Sequence, residues 1–149
     1  MYEDWRNWCK WFYWKIIGKV LINEGFSVTK FTSDSNLKDM TYVNWEDKKQ
    51  LKSNFGNLDV LIHLSWVGIE RQLRYIEDVQ QINVRRTKTL VSVLNNTSIS
   101  QIIAFGSQDE LKDGSQPWSD DSPFLPISEY GKAKFESFNL FKNHSNSFT

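Results

Sequence analysis

The segment Glu129-Tyr-Gly-Lys-Ala-Lys134 sets a phenol, Tyr130, and an ammonium, Lys134, four positions apart. On a helix, positions i and i+4 share one face. A phenol with its ordinary pKa of about 10 is a poor base at neutral pH. An ammonium within about 4–6 Å favours the phenolate by roughly one to three pKa units. Three units amount to roughly 4 kcal/mol of differential stabilisation. A phenol tuned in this way passes a proton to or from a hydroxyl. The same spacing also arises by chance on a solvated helix face. Position distinguishes this pair: it opens a helix that follows the apolar run Gln101-Ile-Ile-Ala-Phe105, and that run leads into Gly106-Ser107. A serine at the carboxyl end of a parallel strand stands where α/β folds bind ligands, and its hydroxyl can bond a reacting oxygen.

The elements that must position these groups alternate along the chain. Residues 15–24 carry Ile16, Ile17, Val20 and Leu21 at helical spacing, with Gly25 as a stop. Residues 26–32 alternate apolar and polar like a half-buried strand, and 40–45 form a second strand candidate. Residues 46–55 are polar and helical in character, and Gly56-Asn57 breaks them. The run Leu58-Asp-Val-Leu-Ile-His-Leu64 suits a strand covered on both faces, as in a parallel sheet. One long helix is expected over residues 72–95, with Tyr75, Val79, Ile82, Leu90 and Leu94 as its apolar stripe and the charges of 70–86 as a solvated face. Residues 114–126 read as a loop, Ser128 as the cap of a helix over 129–142, and 144–149 as a polar tail. This order predicts an α/β fold built on a parallel sheet with right-handed crossovers.

Composition narrows the classes. A chain of 149 residues is room for about one domain. With 40% hydrophobic and 24% charged residues it can bury a core. Its 18 basic and 18 acidic side chains cancel, which removes the footprint of a general nucleic-acid binder. The single Cys, Cys9, excludes an internal disulfide and a Cys-rich zinc site, and it fits a reducing, cytoplasmic setting. No run approaches the length of a membrane-spanning helix. His63 lies in an apolar run and reads as a core histidine, and His144 carries no role.

Taken together, four stretches resemble the extended short-chain dehydrogenase/reductases, and within them the NAD-dependent epimerase/dehydratase family that acts on nucleotide sugars. These are Leu58-Asp-Val-Leu-Ile-His-Leu-Ser-Trp66, Asn83-Val-Arg-Arg-Thr87, Phe105-Gly-Ser-Gln-Asp-Glu110 and Pro126-Ile-Ser-Glu-Tyr-Gly-Lys-Ala-Lys134. They follow the family's order and spacing over about residues 15–142. The resemblance implies a Rossmann-like doubly wound sheet, NAD or NADP as cofactor, a nucleotide-sugar substrate and, in an intact relative, a homodimer. It implies Tyr130 as the catalytic acid/base, aided by a nicotinamide cation, with Lys134 on the nicotinamide ribose and Ser107 on the substrate. It lays Leu64, Ser65 and Trp66 along the cofactor and gives Asn83 the task of holding the active-site backbone. Thr32, at the end of the first clear strand, and Asn44 fall at adenosine-binding positions. With Asp34 close by and no Arg beside it for a 2′-phosphate, NAD is favoured slightly over NADP. Gly-Ser-Gln with its acidic pair is similar to 4-ketoreductases and epimerases of polysaccharide pathways. Gln108 before Asp109-Glu110 makes those acids loop residues rather than the proton donors of a dehydratase.

Two departures qualify the resemblance. The family opens with a strand and a GxxGxxG loop that lets the backbone approach a pyrophosphate at a helix N-terminus. Here the first strand and glycine loop are abnormal, and Trp5, Trp8, Trp11 and Trp14 stand in their place at the spacing of the glycines. Trp has the single codon TGG, so a reading displaced by one base turns each Trp into Gly. With permitted codons, residues 5–15 then read Gly-Ala-Thr-Gly-Ala-Asn-Gly-Phe-Ile-Gly-Lys, and 1–4 read Cys-Met-Lys-Ile. In that frame Cys9 vanishes. Otherwise the Trp-rich start is a core element or a helix lying on a membrane surface. The second departure is length: the family continues past Lys142 into a smaller substrate-holding domain, so the chain is expected to be the amino-terminal half of such an enzyme. The alternatives are a non-catalytic fragment and a Rossmann-like binding or regulatory domain.

Overall fold

The computed structural model describes residues 8–95, 97–111, 119 and 121–144. Trp5, the tail 145–149, residues 114–118 and 120 of the expected loop and the side chains of Trp8, Cys9, Trp11 and His144 lie outside the described residues. The fold is mixed α/β with parallel strands, arranged as two compact units, Met1–Asn54 and Phe55–Thr149. Among the described residues no helix is long and apolar enough to cross a membrane.

In the first unit, α1 runs Trp8–Asn23, seven residues earlier than the apolar spacing predicts. Trp14, Ile17, Gly18 and Leu21 form its inward face, while Ile16 and Val20, expected inside, are exposed. The helix ends as Gly25 predicts. Gly25 takes φ +87°, its N–H bonds Ile22 O, and the Phe26 N–H bonds Leu21 O, the paired bonds of a Schellman cap. The two expected strands shrink to β1 (Phe31–Thr32) and β2 (Thr41–Tyr42), paired in parallel with Phe31 opposite Thr41. Asp47 caps the next helix, α2 (Lys48–Phe55), through bonds from the Lys49 and Gln50 amides.

The second unit is a β-α-β unit with an additional helix. Strand β3 (Val60–His63) pairs in parallel with β4 (Gln101–Ala104), Leu61 opposite Ile102. Between them runs α3 (Glu77–Leu94). The long helix expected over 72–95 is broken: a 3-10 turn, Leu73–Tyr75, precedes α3, and Ile76 is extended between them. Neither Gly nor Pro causes this break. The buried Gln80 amide donates to Leu73 O and Gly68 O and fixes the entering chain in a loop. The core stripe of α3 keeps Leu90 and Leu94 of the expected one, while Val79 and Ile82 are only half-buried. Gln80, Asn83, Val84, Thr87, Leu90, Val93 and Leu94 are buried, and Tyr75 is 70% exposed.

Helix α4 (Glu129–His144) packs against α3, where the Thr87 hydroxyl donates to Ser137 Oγ at 3.3 Å and Lys88 pairs with Glu136 at 2.8 Å. Ser128 caps α4, its Oγ accepting the Gly131 N–H at 3.0 Å. The first turn of α4 lies against the 3-10 turn Gln108–Glu110. A methyl group on Gly131 would run into the Asp109 carbonyl and come within 3.1 Å of Pro126 Cβ. Only a residue without Cβ allows that approach. Gly131→Ala should therefore destabilise the chain by a net of about 1–2 kcal/mol in urea unfolding, even though Ala is favoured in helices by about 1 kcal/mol. An unchanged or higher midpoint would show that the turn and the helix are not in contact.

Candidate active site

The site lies within the second unit, at the carboxyl ends of β3 and β4. Ser107 follows β4 in extended conformation and caps the 3-10 turn Gln108–Glu110. Its Oγ accepts the Asp109 N–H at 3.2 Å. That bond occupies a lone pair and leaves the hydroxyl proton free for the Tyr130 phenol, with which Ser107 hydrogen-bonds. Glu110 completes a capping box, its carboxylate accepting the Ser107 N–H at 2.5 Å. Burial raises the Glu110 pKa, against the pull of the Ser107 amide and the Lys134 charge. Both acids of the turn are thus engaged within the protein, Glu110 on Ser107 and Asp109 with Arg74.

Tyr130 sits in the first turn of α4, 8% exposed. The Trp66 ring meets it edge-on at 5.8 Å, and the Arg74 guanidinium lies 4.7 Å from its ring centre. One turn on, the Lys134 ammonium is 5.9 Å from that centre, 4.1 Å from the Trp66 ring centre, and donates to Phe105 O at 2.8 Å. A neighbouring ammonium is expected to lower the phenol, and here the phenol goes the other way. Burial raises its pKa, with the carboxylates of Asp109 and Glu110 adding to the rise, while the Ser107 bond and the Arg74 charge oppose it. Lys134 is itself depressed to about 8, by burial first, against the pull of Glu110.

The stretch after β3 supplies the opposite wall. Leu64 is half-buried, Ser65 exposed and Trp66 buried. The Trp66 indole N–H donates to Gln80 Oε1 at 3.0 Å. Asn83 holds both backbone groups of Val67: its Oδ1 accepts the N–H at 2.8 Å and its Nδ2 donates to the carbonyl at 2.9 Å. Gly68 turns the chain at φ +72°, where a Cβ would stand 2.5 Å from Val79 and 2.8 Å from the Gln80 amide. Composition and apolar spacing do not point to Gln80 or Arg74. The available signal was a pair of amides, Gln80 and Asn83, three apart on the face that also carries Val84 and Thr87.

Thr32 and Asn44 belong to the first unit. The Thr32 hydroxyl oxygen accepts the Asp34 N–H at 3.0 Å, and Asn44 Oδ1 accepts the Glu46 N–H at 3.0 Å. Both side chains shape turns that follow the strands.

His63, at the end of β3, packs against the Phe141 ring at 5.2 Å. Its pKa falls to about 4, through burial and then the Lys134 charge. The folded state therefore prefers the neutral imidazole. Its contribution to stability is complete above about pH 6.5 and is lost as the pH drops toward 4, by at most about 3 kcal/mol. Denaturant unfolding of the chain and of His63→Leu at pH 7 and pH 4.5 should show the larger acid loss in the unaltered chain. Equal losses would remove His63 from the buried set. Lys134 carries the same sign at alkaline pH. Lys134→Met should stabilise the chain at pH 7 by about 1–3 kcal/mol, with the gain shrinking as the pH rises past about 8.

No curated protein matches the chain. Solved structures do. UDP-N-acetylglucosamine 4-epimerase from Bacillus cereus superposes with a TM-score of 0.73 at 19% identity, covering 86% of this chain and 43% of that one. UDP-glucose 4-epimerase from Thermotoga maritima gives 0.73 at 15% identity, with 89% and 49% covered. A short-chain dehydrogenase/reductase superfamily protein from Agrobacterium tumefaciens, solved with bound NAD, gives 0.70 at 20% identity, with 87% and 41% covered. The chain spans less than half the length of these structures, and at such identities they establish the Rossmann-like fold alone. The profile of one sequence family matches residues 16–149. The strand-end serine, the helix that carries Tyr130 and Lys134, and that match together place this chain in the NAD dependent epimerase/dehydratase family.

Proposed function

We propose that this chain carries the catalytic corner of an NAD(P)-dependent nucleotide-sugar epimerase or 4-ketoreductase. The observation that carries the reading is the convergence of Ser107, Tyr130 and Lys134 at the ends of β3 and β4. Solved relatives of this fold hold NAD with UDP-glucose or UDP-glucuronic acid, which supports the same ligand classes here.

The chain's residues fit one end of a dinucleotide and not the other. Lys134 presents a partly desolvated ammonium, suited to ribose hydroxyls, beside the phenol. Residues 5–14 carry Trp where a pyrophosphate needs glycine, and α1 is already helical from Trp8. When bound, the dinucleotide supplies the hydride acceptor or donor. The protein's own share is proton handling. Tyr130 Oη takes the proton of a sugar hydroxyl or returns it, Ser107 Oγ orients that hydroxyl, and Lys134 offsets the negative charge left on the phenol. Asp34, two positions after Thr32, suits a free ribose 2′-hydroxyl and so NAD, with NADP the other choice. The same reading carries a cytoplasmic setting, in keeping with the single Cys, and a homodimer in an intact relative. The choice of 4-ketoreductase or epimerase chemistry rests on the resemblance of Gly106-Ser107-Gln108 and the acidic pair after it.

The Trp-rich start belongs to the same proposal: the gene read one base later encodes a glycine loop over positions 5–14. Sequencing the first codons checks it, and a displaced frame without those glycines overturns it. The poor fit at the pyrophosphate end favours one second reading, a non-catalytic fragment of such an enzyme. Calorimetric titration with NAD+ and NADP+ separates the two. The catalytic reading expects saturable binding, weakened at least about 10-fold by Lys134→Met and changed less than about 2-fold by Tyr130→Phe, while turnover of the nucleotide sugar by a full-length version with the glycine loop restored is abolished in Tyr130→Phe. No binding by the unaltered chain selects the fragment.

A further inference from the structure

The loop between β3 and α3 places a second cation on the phenol. Arg74 was expected on a solvated helix face. Instead its side chain, 39% exposed, is held on three sides. Cζ lies 4.7 Å from the Tyr130 ring centre, Nε donates to Ile69 O at 2.9 Å, and one terminal nitrogen donates to Asp109 Oδ2 at 3.4 Å. A planar fork with fixed donors suits this task, because stacking, carbonyl and carboxylate contacts can be made at once.

The groups facing Tyr130 come from four elements. Ser107, Asp109 and Glu110 belong to the 3-10 turn after β4, Trp66 to the stretch after β3, Arg74 to the 3-10 turn before α3, and Lys134 to α4 itself. Two of them are cations. Lys134 is occupied by the Phe105 carbonyl and the Trp66 face, 5.9 Å from the phenol ring centre. Arg74 is the closer one, 4.7 Å from that centre.

We propose that Arg74 is a positioning residue for Tyr130, fixing its ring against Trp66 and supplying the nearer positive charge that favours its phenolate. The proposal rests on the catalytic reading of Tyr130 for its purpose. Its physical content, the coupling of Arg74 to the phenol, stands without any ligand. Asp109 acquires a purpose as well: it anchors the guanidinium.

The test uses the full chain labelled with 3-fluorotyrosine, whose phenols titrate at lower pH, followed by fluorine NMR without dinucleotide. Tyr130→Phe identifies the Tyr130 signal. Arg74→Gln should raise the Tyr130 pKa by about one unit, a tenfold loss of phenolate at a given pH. Arg74→Lys should remain within about half a unit of the unaltered chain. An Arg74→Gln titration that does not move, with or without a lower melting temperature, overturns the proposal, since a merely structural arginine alters melting alone. Should Arg74→Gln not fold, the unaltered chain decides. Its Arg74 δ protons should be shifted upfield by the aromatic ring relative to Tyr130→Leu, and equal shifts overturn the stacking. Failure of dinucleotide binding would defeat the enzymatic reading and leave this coupling in place.

Discussion

The site depends on how closely the first turn of α4 approaches the 3-10 turn after β4. A hydrogen atom in place of a side chain at Gly131 brings a helix backbone against the Asp109 carbonyl. That contact brings Tyr130 to Ser107. The same turn is tightened from within by the Ser107–Glu110 capping box, so the serine enters the site from a fixed backbone rather than a loose loop. Ser128 holds the other side of the contact by capping α4 one residue before Glu129. Short polar side chains and one glycine thus set the distance between the two hydroxyls.

Electrostatics then work against burial. His63 and Lys134 fall, and Glu110 and Tyr130 rise, each toward its neutral form, and in each the first cause is removal from water. A phenol that must surrender its proton cannot be left to that trend. The compensating interactions are local: the Ser107 bond and the Arg74 guanidinium act directly on the phenol, and Lys134 stands one turn away. The cluster keeps its carboxylates engaged in capping and pairing, which limits how far they repel a phenolate.

Much of the fold is legible in the sequence where apolar residues carry the signal. The runs that contain β3 and β4, the Gly25 stop and the Ser128 cap follow directly from residue type. The spacing of Tyr130 and Lys134 is visible without coordinates, and what covers the phenol is not. Three features escaped for physical reasons. Counting apolar residues finds Leu90 and Leu94 of the inner stripe of α3 and misses its first half, because Gln80, Asn83 and Thr87 are buried with their polar atoms satisfied. The break at Ile76 carries no Gly or Pro, since tertiary hydrogen bonds impose it. Arg74 looked like surface charge because its partners, Ile69, Asp109 and Tyr130, are distant in sequence or reached through a backbone carbonyl. At the amino end, apolar spacing placed the helix start at residue 15 where α1 begins at Trp8.

The wall that faces the phenol is fastened by carboxamides. Gln80 and Asn83 contact Trp66, Val67, Gly68 and Leu73 through uncharged groups alone. Neither amide titrates anywhere in the accessible range, and neither responds to ionic strength as an ion pair does. Acid, base and salt can therefore alter which groups carry protons while the frame that aligns them keeps its shape, so the chemistry can be tuned without loosening the scaffold.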